Sequence, residues 1–178
     1  MFSAAYSLSL PSVAIHNEIS DILKEVHRCL KTGATFRITL IDPYPLLSNM
    51  GPHLQGWFNK HLTDNLQNHI RCSRGSMLFP QWLAESCLRG PGSMISAAKF
   101  RAITTEESLP YLTKELPSDD KVTKLDLRTT MGRLLWKEVW GPYVEGNKWW
   151  WEDPDIVREC VEIQTYWDYY VIDAVKHN

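Results

Sequence analysis

Asp42 holds the most promising chemical position in this chain. It ends the run TFRITLI, which is rich in β-branched and apolar residues, and Pro43 follows it. In an open α/β sheet, ligands bind outside the carboxyl ends of the strands. A carboxylate there can accept a hydrogen bond from a small-molecule hydroxyl. An Asp-Pro pair also opens turns, and that reading stands beside the first. Tyr44 is placed either to line the same pocket or to cover a core. His61 and His69 fall on one helical stripe, eight residues apart. Metal ligands on one helix sit three or four residues apart, so packed or hydrogen-bonded imidazoles are the simpler reading, ahead of a general base and then a metal site.

The chain has eight tryptophans, three of them consecutive at Trp149, Trp150 and Trp151. Aromatics bury large areas, and each indole needs a partner for its N–H. The plain reading is a core built by the C-terminal helices. The sharper one is a flat aromatic pocket, with Trp150 contacting a polycyclic or terpenoid substrate. Three adjacent indoles cannot all face one core, which favours the pocket. There is no G-x-S-x-G motif and no nucleophile with an evident base, so hydrolysis is not suggested.

The elements that position these residues are legible. Ile19, Ile22, Leu23, Val26 and Leu30 form an apolar stripe at helical spacing. Gly33 is read as the left-handed residue closing that helix. A buried strand over Phe36–Ile41 follows, making half of a βαβ unit. A second helix starts at Gly51-Pro52, with proline at its first turn, and carries Leu54, Trp57, Phe58, His61, Leu62, Asn65, Leu66 and His69. A shorter helix is expected over Leu78–Leu88, with Trp82, Leu83 and Cys87 apolar. Met94–Ile103 alternates as an antiparallel strand with one solvent face.

The tail reads as two helices. Asp119 or Asp120 caps the first, with Val122, Leu125, Thr129, Gly132, Trp136, Val139 and Tyr143 inward and Leu127, Met131, Leu134 and Leu135 widening the stripe. Gly141-Pro142 ends it. Asp153-Pro154 opens the last helix, whose inward face is Ile156, Cys160, Ile163, Trp167 and Val171. The expected organisation is an α/β part over 1–103, a linker over 104–120 with two prolines, and a helical extension over 121–178 on the same core.

Size and charge exclude several function classes. A chain of 178 residues buries roughly 70% of its unfolded surface. A net charge of −2 provides no field for nucleic acid or an acidic membrane. No run of 18 apolar residues suggests a spanning helix, and no basic residue precedes Lys24 to make a secretory signal. The four cysteines are far apart without C-x-x-C, which predicts reduced core thiols, no metal site and a cytoplasmic location.

Residues 18–43, EISDILKEVHRCLKTGATFRITLIDP, resemble class I S-adenosylmethionine-dependent methyltransferases. In that family the unit before the fifth strand reads as an acidic residue, Arg-x-Leu-Lys-Pro-Gly-Gly and an apolar strand. Glu25, Arg28, Leu30, Lys31 and Gly33 match in order; Thr32 replaces the proline and Ala34 the second glycine. Phe2–Ser12 resembles the fourth strand and its loop, with Ser3 in the position of the usual acid. GRLLWKEVWGPYV and WWWEDPDIVREC resemble the C-terminal extension of fungal small-molecule methyltransferases of secondary metabolism.

The resemblance implies a truncated Rossmann-like sheet of about three strands with a helical extension. It implies S-adenosylmethionine as cofactor, with Ser7 and Leu8 beside its methionine or adenine part. The Gly-rich loop and the acidic ribose-binding residue of the first half have no counterpart here. Gly90-Pro91-Gly92 follows a helical stretch and reads as a turn. The isolated chain is therefore expected to bind the cofactor weakly or not at all. The alternatives are a non-catalytic small-molecule-binding or interaction protein, and a cofactor-independent cyclase or isomerase using the aromatic pocket. The first strand should be an open edge, inviting self-association or a partner chain.

Overall fold

The computed structural model describes residues 1–111 and 120–177. In chain order the elements are β1 (Phe2–Leu8), α1 (Leu10–Val13), α2 (Ile19–Cys29), β2 (Leu30–Ile41), α3 (Pro52–Phe58), α4 (Asp64–Asn68), α5 (Gly75–Glu85), β3 (Met94–Arg101), α6 (Thr105–Ser108), α7 (Asp120–Trp140), α8 (Pro154–Glu162) and β4 (Tyr166–Val175). The fold is mixed α/β, with one four-stranded sheet in the order β1-β2-β4-β3. β1 runs parallel to β2, and β4 antiparallel to it. A helix-connected pair of adjacent parallel strands is the expected βαβ half-unit.

Two compact units interleave along the chain. The first comprises 1–43, 66–98 and 169–178; the second comprises 44–65 and 99–168. The boundaries cut through β3 and β4, so they do not coincide with a division at 104–120. Residues 112–119, which include nearly half of that linker and the Asp119 cap, lie outside the described residues.

In the first unit an aliphatic core forms on one face of the sheet. Phe36, Ile38 and Leu40 of β2 and Ile172 and Ala174 of β4 meet Ile19 and Leu23 of α2 and Phe79 and Leu83 of α5. Period 2 on the strands and period 3.6 on the helices bring these residues to one layer. The helix closure differs from the sequence reading. α2 passes straight into β2 at Leu30, and Gly33, at φ +76, sits inside the strand. Its left-handed backbone takes up an irregularity: Phe2 pairs with Leu30 but Ala4 pairs with Thr35.

In the second unit the core is aromatic. Trp57, Phe58, Phe100, Trp136, Trp140, Trp150 and Trp167 are all buried. Trp150 and Trp167 stack at 5.0 Å and 18°, and Trp167 and Phe100 at 5.9 Å and 9°. Gly132 of α7 is a glycine because the Phe100 ring occupies the space of a Cβ.

The main correction concerns the tail. Ile163 is exposed, Gln164 has φ +54, and Tyr166–Val175 is a strand rather than the end of a helix. Tyr, Trp, Val and Ile fit a pleated surface better than a helix. The sheet accordingly has four strands, one more than expected. Leu127, Met131 and Leu134 point to solvent instead of widening the α7 stripe, and Cys87, at φ +54 after α5, is exposed rather than a core thiol. α5 also starts and ends earlier than expected, at Gly75 and Glu85. No helix among the described residues is long and apolar enough to cross a membrane.

Candidate functional site

The carboxyl ends of β1 and β2 lie together. Ser7 pairs with Ile38 and Leu8 with Thr39, and the Ser9 N–H donates to Thr39 O at 2.7 Å. Both chains then leave the sheet. Ser9 turns with φ +47 into α1, and Asp42 follows Ile41. Ser9 is fully buried, and its Oγ has no hydrogen-bond partner among the described residues.

Asp42 is committed to the start of α5. Its Oδ1 accepts the Ser76 N–H at 3.0 Å, and its Oδ2 accepts the Ser76 hydroxyl. A carboxylate at a helix N-terminus satisfies orphan amides and complements the positive end of the dipole. Burial pushes the Asp42 carboxyl above the usual aspartate range, against the hydrogen bonds from Ser76 and the nearby Arg74 charge. Gly75 sits between this contact and Pro11 of α1. A Cβ there would meet Pro11 Cγ at 2.6 Å, and Asp42 Oδ1 lies 3.8 Å away. Cys72 is buried in the same unit, and desolvation raises its thiol pKa. This end of the sheet thus presents one orphan hydroxyl and one carboxylate already engaged by the fold.

The remaining candidates belong to the second unit, except His69, which lies in the first. Tyr44 packs edge-on against Phe58 at 5.1 Å, and its hydroxyl lies 3.1 Å from Thr63 Oγ1. Burial raises its pKa. Trp150, the indole read as a pocket contact, is fully buried among Trp136, Trp151 and Trp167. The other two indoles of the triplet stack on each other at 5.2 Å and 5°, with Lys137 Nζ 4.7 Å from the Trp149 centroid. Three neighbours can serve one region because a 3-10 turn over Trp150–Glu152 splays them. His61 is half-buried, with Nδ1 at 2.6 Å from Glu145 O and its ring 5.1 Å from Trp57. His69 is exposed. Among the described residues, no three His, Cys, Asp or Glu residues cluster to hold a metal.

Sequence reasoning missed two polar centres in this unit. Glu159 of α8 is buried and accepts the His53 and Leu54 N–H groups at 2.8 and 2.9 Å, holding the start of α3. Gly51 makes room, since a Cβ there would collide with the Glu159 carboxyl carbon. Arg133 donates to both Glu107 carboxylate oxygens at 2.8 and 2.7 Å and to Ala102 O at 2.7 Å. Burial alone would raise the Glu107 pKa, but the Arg133 and Thr104 hydrogen bonds outweigh it and hold the pKa below the usual range. Their only sequence signals were Thr104-x-x-Glu107, a capping box, and Gly51 before a proline. Cys160 is buried, its thiol pushed up to about 12 chiefly by burial.

Comparison with known proteins assigns no family. No protein-family model matches the chain, and no curated protein matches it. Among solved structures, the chain is similar to Haemonchus contortus phosphoethanolamine N-methyltransferase 2 in complex with phosphomonomethylethanolamine and S-adenosylhomocysteine. The TM-score is 0.45 at 8% identity, covering 99% of this chain and 34% of that one. The selenomethionine form of that enzyme with S-adenosyl-L-methionine gives 0.39 at 8% identity, with the same coverage. The chain therefore spans about a third of the length of these structures. Likeness at this level assigns neither family nor activity.

Proposed function

We propose that this chain is a methyltransferase-like protein that keeps the acceptor side of such a domain, of the fungal small-molecule type its tail resembles, and does not hold S-adenosylmethionine by itself. One observation carries the reading: β1 and β2 are adjacent, parallel and joined through α2, and their carboxyl ends meet at Ser7–Ser9 and Asp42. That edge is where open α/β sheets bind ligands.

The residues present do not fit the cofactor. An adenosine needs a backbone approach and a free carboxylate for its ribose. Here the carboxylate is spent on Ser76, and the orphan Ser9 hydroxyl alone replaces neither. At this end of the sheet the Ser9 hydroxyl is buried, and Ser7 and Leu8 at the partly exposed end of β1 are the residues open to a small molecule.

Calorimetry with S-adenosylmethionine tests the cofactor half of the reading. We expect millimolar or weaker binding, about −4 kcal/mol; a low-micromolar constant, about −8 kcal/mol, would sink it. Two-dimensional NMR of the labelled chain against phenolic and terpenoid acceptors tests the other half. Shifts should centre on Ser7–Ser9 and Asp42, and shifts that avoid these residues overturn the acceptor reading. A second reading, a non-catalytic interaction protein, is favoured by the open edge of β1. The cyclase or isomerase reading loses its main support with Trp150 in the core.

A further inference from the structure

Leu127, Met131 and Leu134 of α7 are exposed at 61%, 58% and 54%. Their spacing of four and then three stacks them along one face of the helix. Thr129, Gly132, Trp136 and Val139 on the other face are buried in the core of the second unit. A single exposed leucine is ordinary, but a row of large apolar side chains marks a contact surface. The row has the spacing of a coiled-coil seam, with Leu127 and Leu134 at d and Met131 at a. Lys124 continues it toward the N-terminus and Glu138 toward the C-terminus, both exposed. Lys121 and Arg128, seven residues apart, lie along the e flank. Lys137, which also rests over Trp149, lies on the g flank. All three are exposed, and every charge on either flank is basic. Asp126 is turned off the seam and accepts the Thr105 N–H at 2.7 Å.

That charge pattern selects the occupant. A second copy of α7 set parallel would put Lys124 against Lys124 in one seam layer, and set antiparallel would bring the two Lys121–Arg128 flanks together. Neither arrangement supplies a carboxylate to the flanks. A lipid surface calls for a broad apolar face, whereas this one is a narrow stripe with Asp120 and Glu138 on its line. An acidic helix meets every requirement. Its aliphatic side chains pack between Leu127, Met131 and Leu134, and its flanking carboxylates meet Lys121, Arg128 and Lys137. We propose that α7 is the docking helix for a partner protein, which lays an amphipathic helix with Asp or Glu on both flanks along the Leu127–Met131–Leu134 seam. From Lys124 to Glu138 the seam is about 21 Å long, so the contact is small and transient. The inference stands independently of the acceptor reading.

Measurements on the full chain test it. The probe is a labelled four-heptad peptide with leucine at a and d and glutamate at e and g, followed by fluorescence anisotropy. It should bind with a Kd of about 50 μM or tighter; no binding at several hundred micromolar overturns the proposal. The same peptide with lysine at e and g should bind at least tenfold more weakly, and equal binding of the two refutes the charge match. Leu127→Gln combined with Leu134→Gln should abolish binding and leave the thermal melt in place, because both side chains are already exposed. Unchanged binding puts the peptide elsewhere and rejects the seam. Lys121→Glu combined with Arg128→Glu should turn the preference toward the lysine peptide; a preference that stays with the glutamate peptide rejects α7 as the docking helix. Sedimentation velocity of the chain alone and flotation with vesicles of phosphatidylcholine and phosphatidylserine address the other occupants. A dimer, or vesicle binding, that is lost with Leu127→Gln and Leu134→Gln overturns the proposal in favour of a second copy or a membrane.

Discussion

Asp42 and Glu159 do the same work in the two units. Each is a carboxylate from a distant element that takes backbone N–H at the start of a helix beside a glycine with no room for a Cβ, Gly51 because of Glu159 itself and Gly75 because of Pro11. They differ in their surroundings. Asp42 takes a serine amide and hydroxyl beneath an aliphatic core and a sheet edge. Glu159 takes two amides beside a core of stacked indoles. A carboxylate at a strand end looks like a reagent, and one in mid-helix looks like surface. Position along an element does not separate chemistry from construction; the partners do.

The sharpest way to break the comparison lies in the cores. Trp150→Ala should cost about 3–5 kcal/mol, as much as Trp136→Ala, because both side chains are fully buried. Thermal melts would show it, and a much smaller loss for Trp150 would return that indole to a pocket. Next comes Glu159→Ala, which leaves two amides at α3 unmet and should cost about 2–3 kcal/mol by denaturant titration. Glu159→Gln keeps one acceptor and should cost less. Asp42→Asn should cost about 1 kcal/mol, because Ser76 retains a carbonyl acceptor. If Asp42→Asn instead cost as much as Glu159→Ala, the two caps would be equivalent.

Asp42 and Glu107, one carboxylate from each unit, respond to acid in opposite directions. Asp42 has its native pKa above the ordinary value of ~3.9, so the native state takes the proton first. Through this group, stability rises as pH falls from the native pKa to the unfolded one. Asp42→Asn should flatten that rise. Glu107 has its native pKa depressed, so its contribution is complete above the unfolded value of ~4.3 and is lost as pH falls through the native value. Comparing acid titrations of Asp42→Asn and Glu107→Gln with the parent chain measures both signs. The smallest effect expected is for Tyr44→Phe, which loses one half-buried hydroxyl contact worth about 0.5–1 kcal/mol.

Legibility followed local rules. Phe2–Tyr6, Ile19–Cys29 and Phe36–Ile41 were readable because periodicity and propensity agree there, and Asp153-Pro154 because the cap lies in the same turn as its helix. Tyr166–Val175 was not. Thr165 and Trp167 bury in one unit and Ile172 and Ala174 in the other, so the alternation shifts phase midway and imitates a helical stripe. Gly33 announced its left-handed backbone but not that a strand would contain it. The Ser76 grip on Asp42 and the Glu159 grip on α3 span 34 and more than 100 residues, distances over which no sequence pattern operates.

The pairing of β2 with β4 sets the order of events at synthesis. Ile41 meets Tyr169, and Thr35 meets Val175. With elongation at about 5–20 residues per second, β2 leaves the ribosome roughly 6–26 seconds before its inner neighbour exists. During that interval an apolar strand has one partner, β1, and one bare side. The nascent chain is then a better client for a chaperone than the finished protein. Slowing translation between residues 41 and 169 should lower the yield of folded chain more than slowing it before residue 30.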